Sequence, residues 1–260
     1  MSGNVTPRLM KRILILGGTT EARLLAGRLA ERQDVTLSLA GRTENPVAQG
    51  VPVRTGGFGG AEGLAAYLRE NSIELLIDAT HPYAARISAN AAQASRLSGV
   101  PAIALRRPPW KQAPGDRWTE VDSATEAASL LGASPRSVFL ALGRQELTSF
   151  EATPQHAYLV RSVDPVEPPL GVPTATYILA RGPFSEADDR ALLEAHGIDA
   201  IVAKNSGGQA TYSKIAAARA LGIEVFLISR PPLPDIPSGA SVAEVLRLSD
   251  HVLATEKRGV

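Results

Sequence analysis

The chain has 260 residues, enough for two α/β domains of ordinary size, and its 44% of hydrophobic residues, spread along the sequence, exclude general disorder. Its 27 Lys and Arg balance 26 Asp and Glu, so the net charge of +1 indicates neither a nucleic-acid partner nor an anionic membrane. Because cysteine is absent, disulfides, thiolate nucleophiles, iron–sulfur clusters and Cys-ligated zinc are excluded, and redox chemistry would need a bound cofactor.

Hydropathy along the chain predicts a cytoplasmic location. The first apolar run, at 13–16, is too short for the hydrophobic region of a signal peptide. Nowhere do about 18 apolar residues follow one another, as a membrane-spanning helix would require. We therefore expect no membrane partner.

The first part of the chain alternates short β-branched or Leu-rich runs with Ala- and Arg-rich stretches. This alternation is typical of parallel strands joined by helices that cover both faces of a sheet. We predict strands at 12–16, 35–40, 51–54, 74–78 and 101–105, and helices at 21–32, 61–71 and 84–98.

A segment with three prolines follows at 106–116, and because proline breaks helices and strands it predicts the passage to a second domain. We place the two domains at 1–108 and 109–260. An amphipathic segment at 241–254 is left free to pack on either domain. In the second part we predict strands at 137–142, 158–163, 176–179, 200–203 and 224–228, and helices at 123–131, 185–196 and 208–221. The fold class is α/β, with mainly parallel sheets.

The first predicted strand runs directly into Gly17-Gly18-Thr19-Thr20 and a helix. A glycine turn at a helix N-terminus offers free N–H groups to a phosphate, which makes this loop a candidate dinucleotide site. The loop departs from the G-x-G-x-x-G pattern, and similar loops serve as plain tight turns in domains that bind no nucleotide. Both interpretations stay open for the loop alone.

The second predicted strand ends at Arg42 and Thr43, about 25 residues after Gly17. At this place an NAD site usually has an acidic residue for the ribose 2′-hydroxyl, whereas a cation fits a 2′-phosphate. A guanidinium holds phosphate with two parallel hydrogen bonds, and Thr43 can add a third. The pattern favours NADP, with a solvated strand-end arginine as the alternative.

A polar cluster at 78–84 follows a predicted strand, at the position where ligands bind in open parallel sheets. We expect His81 and Tyr83 to line a site there, and Arg86, in the next helix, to reach an acidic ligand or solvent. Asp78 is a candidate cap for that helix, and a lone histidine is more often structural than catalytic. We therefore assign no catalytic residue.

Lys204-Asn205-Ser206-Gly207-Gly208 follows the strand predicted at 200–203 and joins a basic side chain, a hydroxyl and an amide nest. With Lys214 it predicts a second anion site, although Ser206 and the glycines alone would suit a capped strand-to-helix turn. Arg144, after the strand predicted at 137–142, is a weaker candidate of the same kind. The remaining histidines lack neighbours at metal-ligand spacing, so we predict no metal.

Taken together, the segments 16–23, 78–84, 142–145 and 204–208 resemble the motif series of the precorrin-6A reductase family. The resemblance spans most of the chain. It implies two Rossmann-like domains with a ligand cleft between them. It also implies an oxidoreductase acting on CH–CH groups, which uses NADPH to reduce a double bond of the precorrin-6A macrocycle and gives precorrin-6B in cobalamin (vitamin B12) biosynthesis.

By this resemblance the domain 1–108 binds NADPH, and the domain 109–260 contributes to the macrocycle site. The residues implied for the cofactor are Gly17, Gly18, Thr19 and Thr20 for the pyrophosphate, Arg42 and Thr43 for the 2′-phosphate, and Asn205 and Gly207 in a loop that closes over the nicotinamide. The macrocycle carries acetate and propionate groups, so its site needs polar and cationic donors. The candidate donors are His81, Tyr83, Arg86, Arg144, Lys204, Ser206 and Lys214.

Two other functions fit parts of this pattern. A non-catalytic NADP-binding sensor would bind NADPH through the same residues without turnover. A two-domain transferase would take a sugar nucleotide instead, and Arg42 would then have no reason to distinguish NADPH from NADH.

Overall fold

A computed structural model describes residues 10–41 and 47–255. They form two units, each built on its own six-stranded sheet, and every strand pair in both sheets is parallel. Unit 1 contains the chain up to Arg107 and again from Pro231, and unit 2 contains Pro108–Arg230. The predicted α/β class with two parallel-sheet domains is confirmed.

Unit 1 begins with five strands and three helices in alternation. They are β1 (Arg12–Leu16), α1 (Thr20–Ala30), β2 (Asp34–Leu39), β3 (Val53–Thr55), α2 (Gly60–Glu70), β4 (Leu75–Asp78), α3 (Ala85–Ser98) and β5 (Ala102–Leu105). The strands lie in the order β3-β2-β1-β4-β5. Because the order reverses between β1 and β4, the carboxyl ends of these two strands flank the switch point at which ligands bind in open α/β sheets.

The central strand β1 is buried on both faces, which explains its continuous apolar sequence. Ile13 and Ile15 pack in one core cluster with side chains of α1, whereas Leu14 and Leu16 pack in another with side chains of α2 and α3. Alternate side chains of a strand point to opposite faces, so each face receives two of them. The two layers of helices hold the end of β1, and the loop after it, in a fixed position.

Unit 2 repeats the alternation with a different strand order. Its elements are β6 (Arg117–Val121), α4 (Ala124–Leu130), β7 (Ser137–Ala141), α5 (Arg144–Leu147), a 3₁₀ turn (Thr148–Ala152), β8 (Ala157–Ser162), β9 (Ala175–Leu179), α6 (Glu186–Ala195), β10 (Ala200–Lys204), α7 (Ser213–Leu221) and β11 (Glu224–Ile228). The strands lie in the order β6-β11-β10-β7-β8-β9, and the switch point falls between β7 and β10.

The last segment of the chain returns to unit 1. β12 (Ser238–Gly239) pairs with β5 as the sixth strand, and α8 (Val242–Thr255) buries Val245 and Leu253 in the cluster that contains α1. The predicted domain range 109–260 is therefore wrong at its C-terminal end, because the chain leaves unit 2 after Arg230. Periodicity predicts the amphipathic helix correctly, but only tertiary packing shows which core it completes.

The first strand of unit 2 and the start of α7 also differ from the prediction. β6 was not predicted, because as an edge strand it combines polar residues with the half-buried Trp118 and shows no continuous apolar run. α7 begins at Ser213 rather than at 208, because the preceding residues form the loop after β10. Within the described ranges, no helix is both long and apolar enough to cross a membrane.

Candidate functional site

The loop after β1 is closely packed at Gly17 and open at Gly18. The N–H of Gly17 donates to the carbonyl of Ser38 at 2.9 Å, and a Cβ at Gly17 would lie 2.6 Å from Cδ1 of Leu37. Gly18 has φ +111°, and within the described part of the chain no atom other than those of Gly18 and its two neighbours lies within 4 Å of the position its Cβ would take. Glycine at both positions lets the backbone turn sharply and leaves space beside Gly18 for a ligand.

Thr19 joins the two sides of the unit 1 switch point. Its hydroxyl accepts a hydrogen bond from the N–H of Ala22 and donates one to the carbonyl of Ala79, both at 3.0 Å. Thr19 is thus the N-cap of α1 and is tied to the residue that follows β4, while Thr20 is exposed in the first turn of α1. The first N–H groups of a helix have no acceptor within it, so this turn offers donors to an anion.

An acidic residue in the same turn is neutralised by an arginine. The carboxylate of Glu21 would repel a phosphate at the N-terminus of α1, but Nη1 of Arg107 lies 2.6 Å from its Oε2. Both side chains are largely buried, which limits screening by water. The cap, the open glycine and this ion pair together fit the pyrophosphate of a dinucleotide.

Asp78, at the end of β4, is fully buried and holds Arg106. Its Oδ2 accepts from Nη2 of Arg106 at 2.6 Å, and its Oδ1 accepts from the hydroxyl and the N–H of Thr80 at 2.6 and 3.1 Å. Burial by itself raises the pKa of Asp78, but the charge of Arg106 and the hydrogen bonds from Arg106, Ser88 and Thr80 leave it below its usual value. The carboxylate is therefore ionised. The prediction that Asp78 caps α3 is wrong, since the N-cap of that helix is Ala84.

The structure brings His81 and Tyr83 together just after β4. Their ring centroids are 5.6 Å apart, and the N–H of Tyr83 lies 3.4 Å from Nδ1 of His81. Both residues are half-buried, and they follow Ala79, which Thr19 ties to the loop after β1. Arg86 is exposed in the first turn of α3. The predicted polar cluster thus lies at the unit 1 switch point.

The predicted 2′-phosphate residues, Arg42 and Thr43, lie outside the described residues. Arg54, on the adjacent strand β3, was not predicted as part of this site. Its guanidinium donates to the carbonyls of Gly56 and Gly57 at 2.6 and 2.7 Å and lies 3.7 Å from the ring centroid of Phe58. The sequence signal that indicates this contact is an arginine at the end of a predicted strand, followed by Gly56, Gly57 and Phe58. Arg54 shapes the turn beside the end of β2.

In unit 2, Lys204 forms an ion pair with Glu146 at the switch point. Lys204 ends β10 and Glu146 belongs to α5, which follows β7, so the two strand ends are joined by opposite charges. Both side chains stay partly accessible, at 19% and 30% of their surface. Arg144 is exposed at the start of the same α5. The two predicted cations therefore lie at one edge of the sheet. Glu146, which was not predicted as a site residue, lies there with them.

Asn205 and Gly207 contact the segment that enters unit 2. Oδ1 of Asn205 accepts from the N–H of Trp110 at 2.8 Å, and its Nδ2 donates to the carbonyl of Trp110 at 3.2 Å. Gly207 has φ +63°, and a Cβ there would lie 2.1 Å from the carbonyl oxygen of Pro108. Ser206 is buried, with its hydroxyl 3.4 Å from that of Thr211. The structure thus gives Asn205 and Gly207 contacts with protein backbone, which their predicted cofactor role did not include.

Lys214 lies inside unit 2 rather than at its surface. Its side chain is buried, Nζ donates to the carbonyl of Thr211 at 2.5 Å, and Nζ lies 5.0 Å from the ring centroid of Trp110. Burial lowers the pKa of Lys214 to about 7, Arg161 acts in the same direction, and Asp189 opposes them. The sequence predicts Lys214 as a donor to the macrocycle, and in this structure its ammonium is buried and donates to the protein backbone.

Comparison with known proteins decides the family. The family described as "Precorrin-6x reductase CbiJ/CobK" matches residues 12–250. The chain belongs to this family. A Sinorhizobium protein named precorrin-6A reductase is 61% identical over 245 residues, covering 94% of each chain. One from Rhodobacter capsulatus is 48% identical over 244 residues, covering 93% of this chain and 97% of its own.

A solved structure supports the same assignment at the level of the fold. The chain named "CobK precorrin-6A reductase" superposes with a TM-score of 0.89 at 48% identity, covering 93% of this chain and 97% of the other. The resemblance predicted from the four sequence segments is confirmed, and the precorrin-6x reductase match spans every candidate residue named above. Among the residues that the structure describes, no group of three or more His, Asp or Glu could hold a metal ion.

Proposed function

We propose that this protein uses NADPH to reduce a double bond of the precorrin-6A macrocycle, giving precorrin-6B in the biosynthesis of cobalamin. The observation that carries the proposal is the 61% identity, over 94% of both chains, to a protein named precorrin-6A reductase. At this identity and coverage, the residues that form a site are expected to be retained together with the fold.

The geometry of unit 1 supports a dinucleotide site. The residues that would hold the pyrophosphate are Gly17, Gly18, Thr19 and Thr20, where an open glycine precedes a capped helix N-terminus. The Glu21–Arg107 pair removes the repulsion that a free carboxylate would exert there. Arg42 and Thr43, assigned from the sequence, would hold the 2′-phosphate that distinguishes NADPH from NADH. When bound, this cofactor supplies a hydride from its nicotinamide.

The charges of unit 2 support a substrate with carboxylate groups. Lys204 and Arg144 present two cations at the switch point, and the ion pair with Glu146 holds the ammonium of Lys204 in place. A fixed cation binds a carboxylate with less loss of side-chain freedom than a mobile one. Within unit 1, the predicted substrate residues His81 and Tyr83 lie together after the end of β4. Reduction of the double bond takes a hydride and a proton. The conjugated macrocycle spreads the charge that hydride addition creates, so solvent can supply the proton, and we assign no residue as its donor.

The test is oxidation of NADPH by the purified protein supplied with precorrin-6A, followed by absorbance. We expect oxidation that requires both the macrocycle and NADPH, with NADH a much poorer donor. The cobalt-containing macrocycle is assayed in parallel, which separates the two forms of the substrate. Binding of NADPH without oxidation of it by either macrocycle would contradict the proposal and support the sensor.

A further inference from the structure

A buried cluster of charges lies beneath the loop that follows β10. Arg161 of β8, Asp189 of α6 and Lys214 of α7 are 9%, 1% and 4% exposed. Asp189 pairs with Arg161 through Oδ1 and accepts from the hydroxyl of Ser213 through Oδ2 at 2.5 Å. Both oxygens of the carboxylate are therefore engaged, and Lys214 donates to a backbone carbonyl instead.

Lys214 contacts the loop 205–211 directly at Thr211 and indirectly through Trp110. Nζ donates directly to the carbonyl of Thr211 at the end of the loop. Nζ also lies against the ring of Trp110, and the indole N–H of Trp110 donates to the carbonyl of Gly208 in the middle of the loop at 2.9 Å. An ammonium strengthens both contacts, because a cation is attracted to a carbonyl oxygen and to the face of an indole ring.

We propose that Lys214 is a positioning residue for the loop 205–211, and that the cationic form of its side chain holds this loop in the conformation that binds substrate. The proposal rests on the proposed reduction of precorrin-6A. In this proposal Lys214 acts through Thr211 and Trp110. Substrate carboxylates held by the loop favour the cation in return, because a negative charge nearby stabilises an ammonium.

The charges around Lys214 place its titration in the neutral range. Arg161, from β8, disfavours the ammonium and Asp189, from α6, favours it, while burial lowers the pKa to about 7. Arg219, also on α7, is paired with Asp116 at 2.8 Å and so adds little net charge. Between about pH 6 and pH 8.5 the side chain therefore changes from mainly cationic to mainly neutral.

Steady-state kinetics of the Lys214→Met variant test the proposal. Methionine keeps much of the buried volume but removes the charge and the donor, so we expect KM for the macrocycle to rise about tenfold. We expect kcat and the Kd of NADPH to stay within about twofold. The wild-type KM should increase from about pH 6 to pH 8.5, and the KM of the variant should not change with pH over that range.

Ser129→Ala is the control for these measurements. Ser129 is exposed on α4 of the same unit, and its hydroxyl donates to the carbonyl of Thr125, so its variant should keep the wild-type pH profile of KM. Trp110→Phe is a second test that does not alter Lys214, because it removes the hydrogen bond to Gly208. We expect it to raise KM while retaining the pH dependence. Wild-type KM values in both Lys214→Met and Trp110→Phe would overturn the proposal.

Tryptophan fluorescence tests the contact without any turnover. The chain has two tryptophans, so a Trp118→Phe background reports Trp110 alone. We expect its emission to titrate with a midpoint near the pKa of Lys214, and not to titrate when Lys214→Met is added. Emission independent of pH in the background variant would overturn the role of Lys214. Titrating emission in a protein that oxidises no NADPH would instead overturn the proposed reductase.

Discussion

At the scale of single residues, the ion pair of Lys204 and Glu146 determines how unit 2 presents positive charge. Replacing Lys204 by alanine leaves the carboxylate of Glu146 unpaired at the switch point, where it would repel an acidic substrate. We expect Lys204→Ala to raise KM for the macrocycle about tenfold or more. The Kd of NADPH, measured by fluorescence titration, should change less than twofold.

A double variant separates the loss of the cation from the exposure of the carboxylate. Glu146→Gln in the Lys204→Ala background removes the repulsion, so part of the lost affinity for the macrocycle should return. Lys111→Ala, at an exposed position in the same unit, is the control and should leave KM unchanged. An unchanged KM in Lys204→Ala would remove this lysine from the substrate site.

Asp78 is a buried charge whose contribution to stability depends on pH. Asp78→Asn leaves the largely buried guanidinium of Arg106 without its counter-ion, so we expect a loss of about 3 kcal/mol in the free energy of unfolding at pH 7. Because the pKa of Asp78 in the folded protein lies below its unfolded value, the wild-type carboxylate stabilises the fold above that unfolded value. This contribution is lost as the pH falls through the folded pKa.

Urea unfolding of wild type and variant at several pH values checks this expectation. The difference between the two free energies should be constant near neutral pH and should shrink below about pH 4. Asp34→Asn is the control, because Asp34 faces Arg12 at 3.6 Å with both side chains more than half exposed. We expect it to cost less than about 1 kcal/mol. A loss of less than about 1 kcal/mol in Asp78→Asn would show that the buried pair with Arg106 contributes no more than an exposed one.

At the scale of elements, the loop after β10 depends on close contact between two backbones. Gly207 and Gly222 both have positive φ, at +63° and +67°, but only Gly207 would place a Cβ against another backbone. Gly222→Ala should cost about 1 kcal/mol from its conformation alone. Gly207→Ala adds a clash with Pro108, so we expect the free energy of unfolding to fall by about 3 kcal/mol. The fluorescence of Trp110 should change as well. Equal losses in the two variants would show that the backbone at Pro108 can move away without lowering the free energy of unfolding.

The parts that sequence predicts well are those that local pattern determines. Apolar runs such as β1 predict strands buried on both faces, and Gly17, Gly18 and Lys204 stand at strand ends, where the periodicity breaks. The burial of Lys214 and the contacts of Asn205 with Trp110 depend on residues far apart in the chain. No local pattern carries that information, so both residues were predicted as ligand contacts and were found packed against the protein itself.

At the scale of the whole molecule, unit 1 is completed by the end of the chain. Val245 of α8 is fully buried in the core of unit 1. We therefore expect Val245→Ala to lower the free energy of unfolding of unit 1 by about 2 kcal/mol. Hydrogen exchange followed by mass spectrometry should show faster exchange in β1, β4 and β5, and unchanged exchange in β10 and β11. Val163→Ala, at a position 46% exposed, is the control and should alter neither set. Faster exchange confined to unit 2 would restore the predicted range 109–260.

The return of the chain to unit 1 also constrains the order of events on the ribosome. Unit 2 is one continuous stretch, Pro108–Arg230, and all of it has been synthesised before β12 and α8 exist. Domains generally fold as units during synthesis, and the N-terminal one usually folds first. Here that order is reversed, because the second unit in the sequence is the first that can reach its final set of contacts. The nascent unit 1 keeps one edge of its sheet and part of its core uncovered until β12 and α8 have also been synthesised.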